Sequence, residues 1–264
     1  MQTLLYDGTF EGFLTTVFEV YEHKYAAVQI ATSQKAQPNV FGETLLINTD
    51  EVKAARVYNG LKNKLSAAAL SQLYKAFLSE LPGIEDTLLY YVQYVFSSKH
   101  SVEHDFSNTH VLTVKQTAKK TDREKHRMEA FIRFQLTKDG LYYAICQPDY
   151  NVLPLIQKHF KERYADQRWL IYDSTRKYGI YYDLHTVETV QLTFNEETEN
   201  GKNISAIFDE NEELYQHLWQ QYFKSVNIVA RKNTRLHLQH MPKRYWKYLT
   251  EKRPSALRDL PGKQ

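Results

Sequence analysis

The sequence contains one cysteine, Cys146, among 264 residues. A single thiol cannot form a disulfide within the chain, and it cannot supply the several thiolates of an iron–sulfur cluster or a cysteine-rich zinc site. No apolar run approaches the roughly 18 residues that span a bilayer, and residues 1–12 lack the basic start of a secretory signal. These absences predict a cytoplasmic protein in a reducing compartment.

The motifs of several common enzyme classes are missing as well. There is no Gly-x-Ser-x-Gly nucleophile motif, no Gly-rich loop ending in Lys-Ser or Lys-Thr, and no Gly-x-Gly-x-x-Gly fingerprint. His237 and His240 lie three residues apart, but nothing nearby completes the ligand set of a zinc site. The sequence therefore predicts no metal and no cofactor, and it favours a role without catalysis. The least supported alternative is an unfamiliar active site around four side chains: His126, Arg127, Asp149 and His159.

The composition is that of an ordinary globular protein, but the charges are segregated along the chain. Lysine and arginine number 34, aspartate and glutamate number 31, and 42% of the residues are hydrophobic. Residues 183–215 hold nine acids and one base, whereas residues 224–253 hold nine bases and one acid. A further basic stretch covers residues 115–133. These segments either neutralise each other across the fold or leave a basic surface that binds a polyanion.

Hydrophobic periodicity predicts an α+β fold. Apolar residues recur every three or four positions in four N-terminal stretches, which predicts helices near 10–21, 50–59, 66–81 and 84–96. Thr9 and Asp50 can cap the first two helices and Ser66 opens the third, whereas Gly60 can stop the second. Residues 27–30 and 44–47 are candidates for short strands. Residues 108–128 predict a mostly exposed helix. From residue 132 onward the period changes to two, and the predicted order is β-β-α-β-β-β, followed by C-terminal helices. Because β-α-β units do not alternate along the chain, we expect an antiparallel sheet.

This order suggests three regions. A mainly helical N-terminal region covers residues 1–105, and an α+β region with basic C-terminal helices covers residues 106–252. A flexible tail with two prolines covers residues 253–264. The alternative is one continuous domain over residues 1–252.

Four stretches of the sequence are distinctive: YDGTFEGFL at residues 6–14, HRMEAFIRF at 126–134, DYNVLPLI at 149–156 and MPKRYWKYLTE at 241–251. In this order they resemble an uncharacterised bacterial family known as "probable DNA metabolism protein". The resemblance covers nearly the whole chain.

The resemblance implies a setting rather than a chemistry. In that family the domain occurs alone or fused to a uracil-DNA-glycosylase-like domain, and it is encoded beside a radical-SAM protein thought to act on DNA. We therefore expect a nucleic-acid-binding accessory protein in DNA repair or modification. Its expected partners are DNA, the radical-SAM protein and the uracil-DNA-glycosylase-like protein, with no membrane. The alternative is an adaptor that binds those enzymes without touching DNA.

Basic residues interleaved with aromatic residues mark the predicted binding surface. Lysine and arginine bind phosphates, and aromatic faces stack on unpaired bases. The alternative is that Tyr245, Trp246 and Leu249 anchor a terminal helix in the core, which leaves Lys243 and Arg244 as phosphate ligands. The candidate nucleic-acid-binding residues are Arg127, Arg133, Arg231, Arg235, Lys243, Arg244, Tyr245 and Lys247.

Overall fold

The chain forms two compact units, residues 1–123 and 124–264. The division falls within one long helix, at residue 123, whereas the sequence suggested a boundary near residue 105. The domain organisation stays a prediction. The structure, a computed structural model, describes residues 2–33, 43–138, 140–191 and 241–249. Arg231, Arg235 and the predicted C-terminal tail lie outside the described residues.

The described residues of the first unit form three short strands and four helices before the long helix in which the unit ends. In chain order these elements are β1 (Gln2–Tyr6), α1 (Phe10–Glu22), β2 (Val28–Thr32), β3 (Thr44–Leu46), α2 (Glu51–Lys62), α3 (Ala67–Phe77) and α4 (Ile84–Ser97). The four predicted helices are confirmed. Strands β2 and β3 overlap the two short strands predicted near residues 27–30 and 44–47.

The sheet of the first unit is parallel. Its strand order is β2-β1-β3, with Leu4 paired to Ile30 on one side and to Leu45 on the other. Strand β1 was not predicted, because its five residues are too few to show the alternation of apolar and polar side chains that marks a strand. Helix α1 returns the chain to the starting edge, which makes β1 and β2 parallel. The antiparallel sheet that the sequence predicts was expected in the middle of the chain, and this parallel sheet of the N-terminal region was not foreseen.

Side-chain caps fix the starts of three helices at the predicted residues. The Thr9 hydroxyl accepts the Gly12 N–H at 2.9 Å, and the Asp50 carboxylate accepts the Val52 N–H at 2.9 Å. The Ser66 hydroxyl caps α3 in the same way. These oxygens satisfy backbone donors that have no partner inside the helix.

Helix α2 extends further than its sequence predicts. We expected Gly60 to end the helix near Asn59, but α2 continues to Lys62. A Cβ at position 60 would lie 3.2 Å from the ring of Phe96. The glycine therefore allows a close approach between neighbouring helices, and it does not act as a stop signal.

Helix α5 (Thr109–Phe131) confirms the helix predicted over residues 108–128. It is less exposed than expected, because one complete stripe along it is buried. The buried stripe recurs every three or four residues and consists of Val111, Val114, Ala118, Thr121, Glu124 and Met128. Glu124 is the only charged member of this stripe.

The second unit contains a five-stranded sheet. In chain order its further elements are β4 (Gln135–Leu136), β5 (Tyr142–Cys146), α6 (Leu153–Arg163), β6 (Trp169–Asp173), β7 (Tyr178–Tyr182), β8 (Val187–Gln191) and a 3-10 helix (Lys243–Tyr248). The predicted order β-β-α-β-β-β is confirmed for the described strands.

The sheet of the second unit is mixed rather than antiparallel. Its strand order is β4-β5-β6-β7-β8, and the neighbours are antiparallel except β5 and β6. These two strands are parallel, with Ala144 opposite Ile171. The cause is α6, which crosses over the sheet and returns the chain to the edge where β5 began. The prediction missed this parallel pair because it looked for repeated β-α-β units, and the described part of this sheet contains one.

The core of the second unit is rich in aromatic residues. Trp169 is fully buried, and its ring lies 6.1 Å from that of Phe160 on α6. Tyr245 of the 3-10 helix belongs to the same core and is 2% exposed. Among the described helices, none has both the length and the apolar character that crossing a membrane requires.

Candidate functional site

The second unit gathers charged side chains at the edge where two parallel strands end. Strands β5 and β6 run in the same direction, so the residues after Cys146 and Asp173 leave the sheet at the same edge. Crevices at the carboxyl ends of parallel strands are common ligand sites. We call this group the carboxylate–arginine cluster, and it consists of Glu124, Arg127, Asp149, Asp173, Arg176, Arg244 and Tyr245.

Glu124 is the buried centre of the cluster, with 1% of its side chain exposed. It accepts the Asp149 backbone N–H at 2.9 Å, and both of its oxygens lie 2.7 Å from the Tyr245 hydroxyl. Arg127 and Arg244 approach the same carboxylate at 3.4 and 3.3 Å. A buried carboxylate is costly unless it is both hydrogen-bonded and paired with cations. The Asp149 N–H and the Tyr245 hydroxyl supply the hydrogen bonds, and the two arginines supply the positive charge.

Tyr245 ties the 3-10 helix to this carboxylate. Burial first, and then the hydrogen bond and charge of Glu124, raise the pKa of Tyr245 above its ordinary value. The hydroxyl therefore keeps its proton and donates a hydrogen bond to the Glu124 carboxylate. The Arg244 guanidinium lies over the ring, with Cζ 4.6 Å from the centroid. The structure thus places Tyr245 inside the second unit, as the anchoring alternative expected, and not at the surface.

Asp149 is the exposed carboxylate of the cluster. Its side chain is 44% exposed, and Oδ2 lies 2.5 Å from Nη2 of Arg244. Burial and the charge of Glu124 raise the pKa of Asp149, although the nearby guanidinium groups of Arg244, Arg127 and Arg176 act in the opposite direction. Arg244 therefore bridges a buried and an exposed carboxylate. Protonation of Asp149 would free part of that guanidinium for another anion.

Asp173 and Arg176 close the other side of the cluster. Asp173 is fully buried; it accepts the Thr175 N–H at 2.8 Å and Nη1 of Arg176 at 2.9 Å. Arg176 also donates to the carbonyl oxygens of Pro148 and Asp149, at 3.2 and 3.3 Å. These bonds fix the backbone after β5, and they thereby hold Asp149 near the edge of the sheet.

The formal charges of the cluster are balanced, because it holds three guanidinium groups and three carboxylates. A net positive surface therefore depends on the lysines beside it. Chemically, an exposed carboxylate with a raised pKa next to arginines has two capabilities. It can exchange a proton, or it can give way to a phosphate oxygen, which binds guanidinium groups in a similar geometry.

The 3-10 helix displays most of the described basic candidates. Because such a helix has three residues per turn, side chains three positions apart lie above one another. Arg244 and Lys247 therefore share one face, and both are exposed. Tyr245 and Tyr248 share another face, and Tyr245 is buried while Tyr248 is half-buried. Lys243 is also exposed, and no ion pair of its ammonium group is seen among the described residues.

The remaining sequence candidates are placed elsewhere. Arg133 donates to the carbonyl oxygens of Ala130 and Ile132, at 2.7 and 3.2 Å, and so it stabilises the carboxyl end of α5. Arg231 and Arg235 are not among the described residues. The structure therefore brings together Arg127, Lys247 and the 243–245 segment within the second unit, and it gives Arg133 a helix-capping contact.

The two histidines of the enzyme alternative do not join the cluster. His126 is 86% exposed, with Nδ1 3.8 Å from Glu129. The ring of His159 packs 5.1 Å from that of Phe160. Within the described residues, neither histidine forms a hydrogen bond or ion pair with Asp149. The catalytic arrangement that the sequence suggested is therefore not assembled by these contacts.

One side-chain group in the described residues has the spacing of metal ligands. Glu19, Glu22 and His23 lie together near the end of α1. The ammonium group of Lys53 already contacts Glu19 at 2.6 Å and Glu22 at 3.2 Å. Lys53 thus supplies positive charge to the two carboxylates. The predicted absence of a metal stays a prediction.

Glu124 is the main residue that the sequence analysis missed. We counted it among the charges of a basic, exposed helix. Its spacing from Ala118 and Thr121 on one side, and from Met128 on the other, places it on the buried stripe. A lone acid at an apolar position is a readable signal for a buried, paired carboxylate.

Comparison with known proteins places the cluster inside a recognised domain. A protein-family model described as DUF4130, a domain of unknown function, matches residues 82–251. The matched range contains the whole carboxylate–arginine cluster and the 3-10 helix. No curated protein matches the chain.

Proposed function

Since the chain belongs to the DUF4130 family, a family of unknown function, we propose a function that rests on its own residues. The second unit binds nucleic acid through the exposed side of the 3-10 helix, as an accessory protein in DNA repair or modification. The observation that carries this proposal is the display of three exposed cations within five residues, Lys243, Arg244 and Lys247, on a helix held rigidly by buried neighbours.

Rigid anchoring is what makes these cations useful. Tyr245 is 2% exposed and Leu249 is fully buried, so both ends of the short helix are held in the core. The cations outside these anchors are displayed at fixed spacing, and they lose less conformational freedom when they bind a phosphate. Aromatic surface is also present beside them, because Trp246 and Tyr248 are only half-buried.

The carboxylate–arginine cluster limits how strongly this surface binds. Arg244 already contacts Glu124 and Asp149, so a phosphate at Arg244 must displace the exposed Asp149 carboxylate. The Lys247 ammonium group donates to Oε1 of Gln147, a neutral acceptor that a phosphate oxygen would replace, and no ion pair of Lys243 is seen among the described residues. Each neutralised phosphate of duplex DNA changes log K against log salt by about −0.9. The two lysines together thus predict a contribution of about −1.8 to the salt slope.

Binding is tested by anisotropy with labelled 20-nucleotide single strands and 20-base-pair duplexes, at 50 to 200 mM salt. The K243E/K247E double variant should lose at least tenfold in affinity at low salt, and the salt slope should become shallower by about 2. The matched control is Lys158→Glu, because Lys158 is 86% exposed on α6 of the same unit. This control should change affinity less than twofold. Absence of binding at 50 mM salt, or equal losses in both variants, would refute the proposal.

We further propose that the enzymatic chemistry belongs to partners. The family resemblance of the sequence supports two candidates, a radical-SAM protein and a uracil-DNA-glycosylase-like protein. The test is co-purification of each candidate with the full chain, before and after nuclease treatment. Complexes that form while the chain itself fails to bind DNA would instead support the protein-only adaptor.

A further inference from the structure

The first unit contains a groove lined both by buried core residues, among them Leu14, Ala54 and Leu65, and by exposed side chains. The groove has a volume of about 1140 Å³ and lies between α2 and α3, with the start of α1 contributing to its wall. Helix α2 presents Glu51, Ala55, Tyr58 and Lys62 to it, at spacings of three and four residues. This exposed stripe is different from the stripe that α2 buries in the core.

Helix α3 presents a second, matching stripe. Ala67, Leu70, Ser71 and Tyr74 recur at the helical spacing and line the opposite wall. Ala67 and Ser71 are small and exposed, so a bound chain can approach the backbone of α3 closely. Leu70 is half-buried and offers apolar surface. Two facing stripes of this kind form the type of groove that accepts an amphipathic helix.

The two ends of the groove carry opposite charges. Glu51 begins α2 and Lys62 ends it, which separates them by about 16 Å along the helix axis. Glu11 lies at the acidic end, because Thr15 on the next turn of α1 accepts the Asp50 N–H at 3.2 Å. The partial charge of a helix is positive at its N-terminus and negative at its C-terminus. A bound helix therefore fits with its N-terminus beside the two glutamates.

We propose that this groove binds an amphipathic helix of a partner protein, about three turns long. The helix places its basic N-terminal end at Glu11 and Glu51 and its C-terminal end at Lys62. Its apolar stripe packs against Tyr58 and Leu70. This inference concerns the first unit alone, and so it does not depend on nucleic-acid binding by the second unit.

The test uses two labelled 14-residue peptides and the full-length chain. Both peptides carry leucines at spacings of three and four residues; one has lysines in its first turn, and the other has glutamates there. The lysine peptide should bind at least fivefold more tightly, and circular dichroism should show that it gains helix on binding. The E11K/E51K variant should reverse this preference.

Two variants block the groove from opposite walls. Ala55→Arg and Ser71→Arg each place a long side chain in it, and each should weaken binding of the lysine peptide at least tenfold. Both positions are exposed, so folding should persist. Val52→Arg is the control, because Val52 is 79% exposed on α2 but does not line the groove. It should change affinity less than twofold.

Several results would overturn this inference. One is the absence of peptide binding at 100 µM, and another is equal weakening by Val52→Arg. Binding without a gain of helix would indicate an extended or small-molecule occupant. Concentration-dependent dimerisation that Ala55→Arg abolishes would assign the groove to a second copy of this chain.

Discussion

Removal of the Tyr245 hydroxyl tests how the cluster stabilises the second unit. In Tyr245→Phe the ring remains, so no cavity forms, but Glu124 loses a donor at 2.7 Å. A hydrogen bond to a buried charged group contributes about 1.5–3 kcal/mol. The Asp149 N–H and the Arg127 guanidinium still contact the carboxylate. We therefore expect a loss of about 2 kcal/mol in the free energy of unfolding.

The assay is urea unfolding followed by tryptophan fluorescence. All three tryptophans lie within residues 124–264, so the signal reports on the second unit. With a slope near 2 kcal/mol per molar urea, the midpoint should fall by about 1 M while the slope stays unchanged. Tyr181→Phe is the matched control, because no hydrogen bond of its hydroxyl is seen among the described residues. It should shift stability by less than about 0.5 kcal/mol.

A double-mutant cycle identifies the partner of the hydroxyl. In the Glu124→Gln background the acceptor is neutral, so Tyr245→Phe should cost only about 1 kcal/mol. An equal cost in both backgrounds would mean that the hydroxyl does not act through the carboxylate. A loss below about 0.5 kcal/mol in the wild-type background would refute the reasoning altogether.

Three further predictions follow from single contacts. Asp149→Asn removes the anion that competes for Arg244, so DNA affinity at low salt should rise about twofold to fivefold. Wild-type affinity should fall as pH rises through the raised pKa of Asp149, because the carboxylate then competes with DNA for Arg244. An Asp149→Asn variant with the same pH profile as the wild type would contradict this. Gly179→Ala should cost about 1–3 kcal/mol in urea unfolding, because its Cβ would lie 2.8 Å from the Ile171 carbonyl oxygen. Burial opposes ionisation of Asp7, but hydrogen bonds lower its pKa below the ordinary value. Ionised Asp7 therefore stabilises the fold above the ordinary pKa of an aspartate, and this stabilisation is lost as pH falls through the lowered pKa of the folded state. In Asp7→Asn the melting temperature should fall less at acid pH than in the wild type.

Sequence reasoning succeeded where the signal was local. Helix starts at Thr9, Asp50 and Ser66 were predicted correctly, because a capping side chain acts within three residues of its own position. The order of strands and helix along the second unit followed from the change in hydrophobic period. Strand direction did not follow, because β5 and β6 pair across an intervening helix whose path no short motif specifies.

The candidate site was predictable only in part, because its contacts are distant in sequence. The basic residues near position 244 were recognisable from composition alone. Their pairing with Glu124 and Asp149 was not, since it depends on how α5, the loop after β5 and the 3-10 helix meet. The one local clue to that arrangement was the position of Glu124 on the apolar stripe of its helix.

The sequence distance between Glu124 and Tyr245 has a consequence for biosynthesis. The two residues are 121 positions apart, so the acid emerges from the ribosome long before its donor. Until the 3-10 helix has been synthesised, burial of α5 would leave this acid without the Tyr245 hydroxyl and the Arg244 guanidinium. We expect translation products that stop short of the 3-10 helix to keep α5 open to water and to be degraded rapidly by cellular proteases. Burial of Glu124 therefore depends on a segment that is synthesised 121 residues after it.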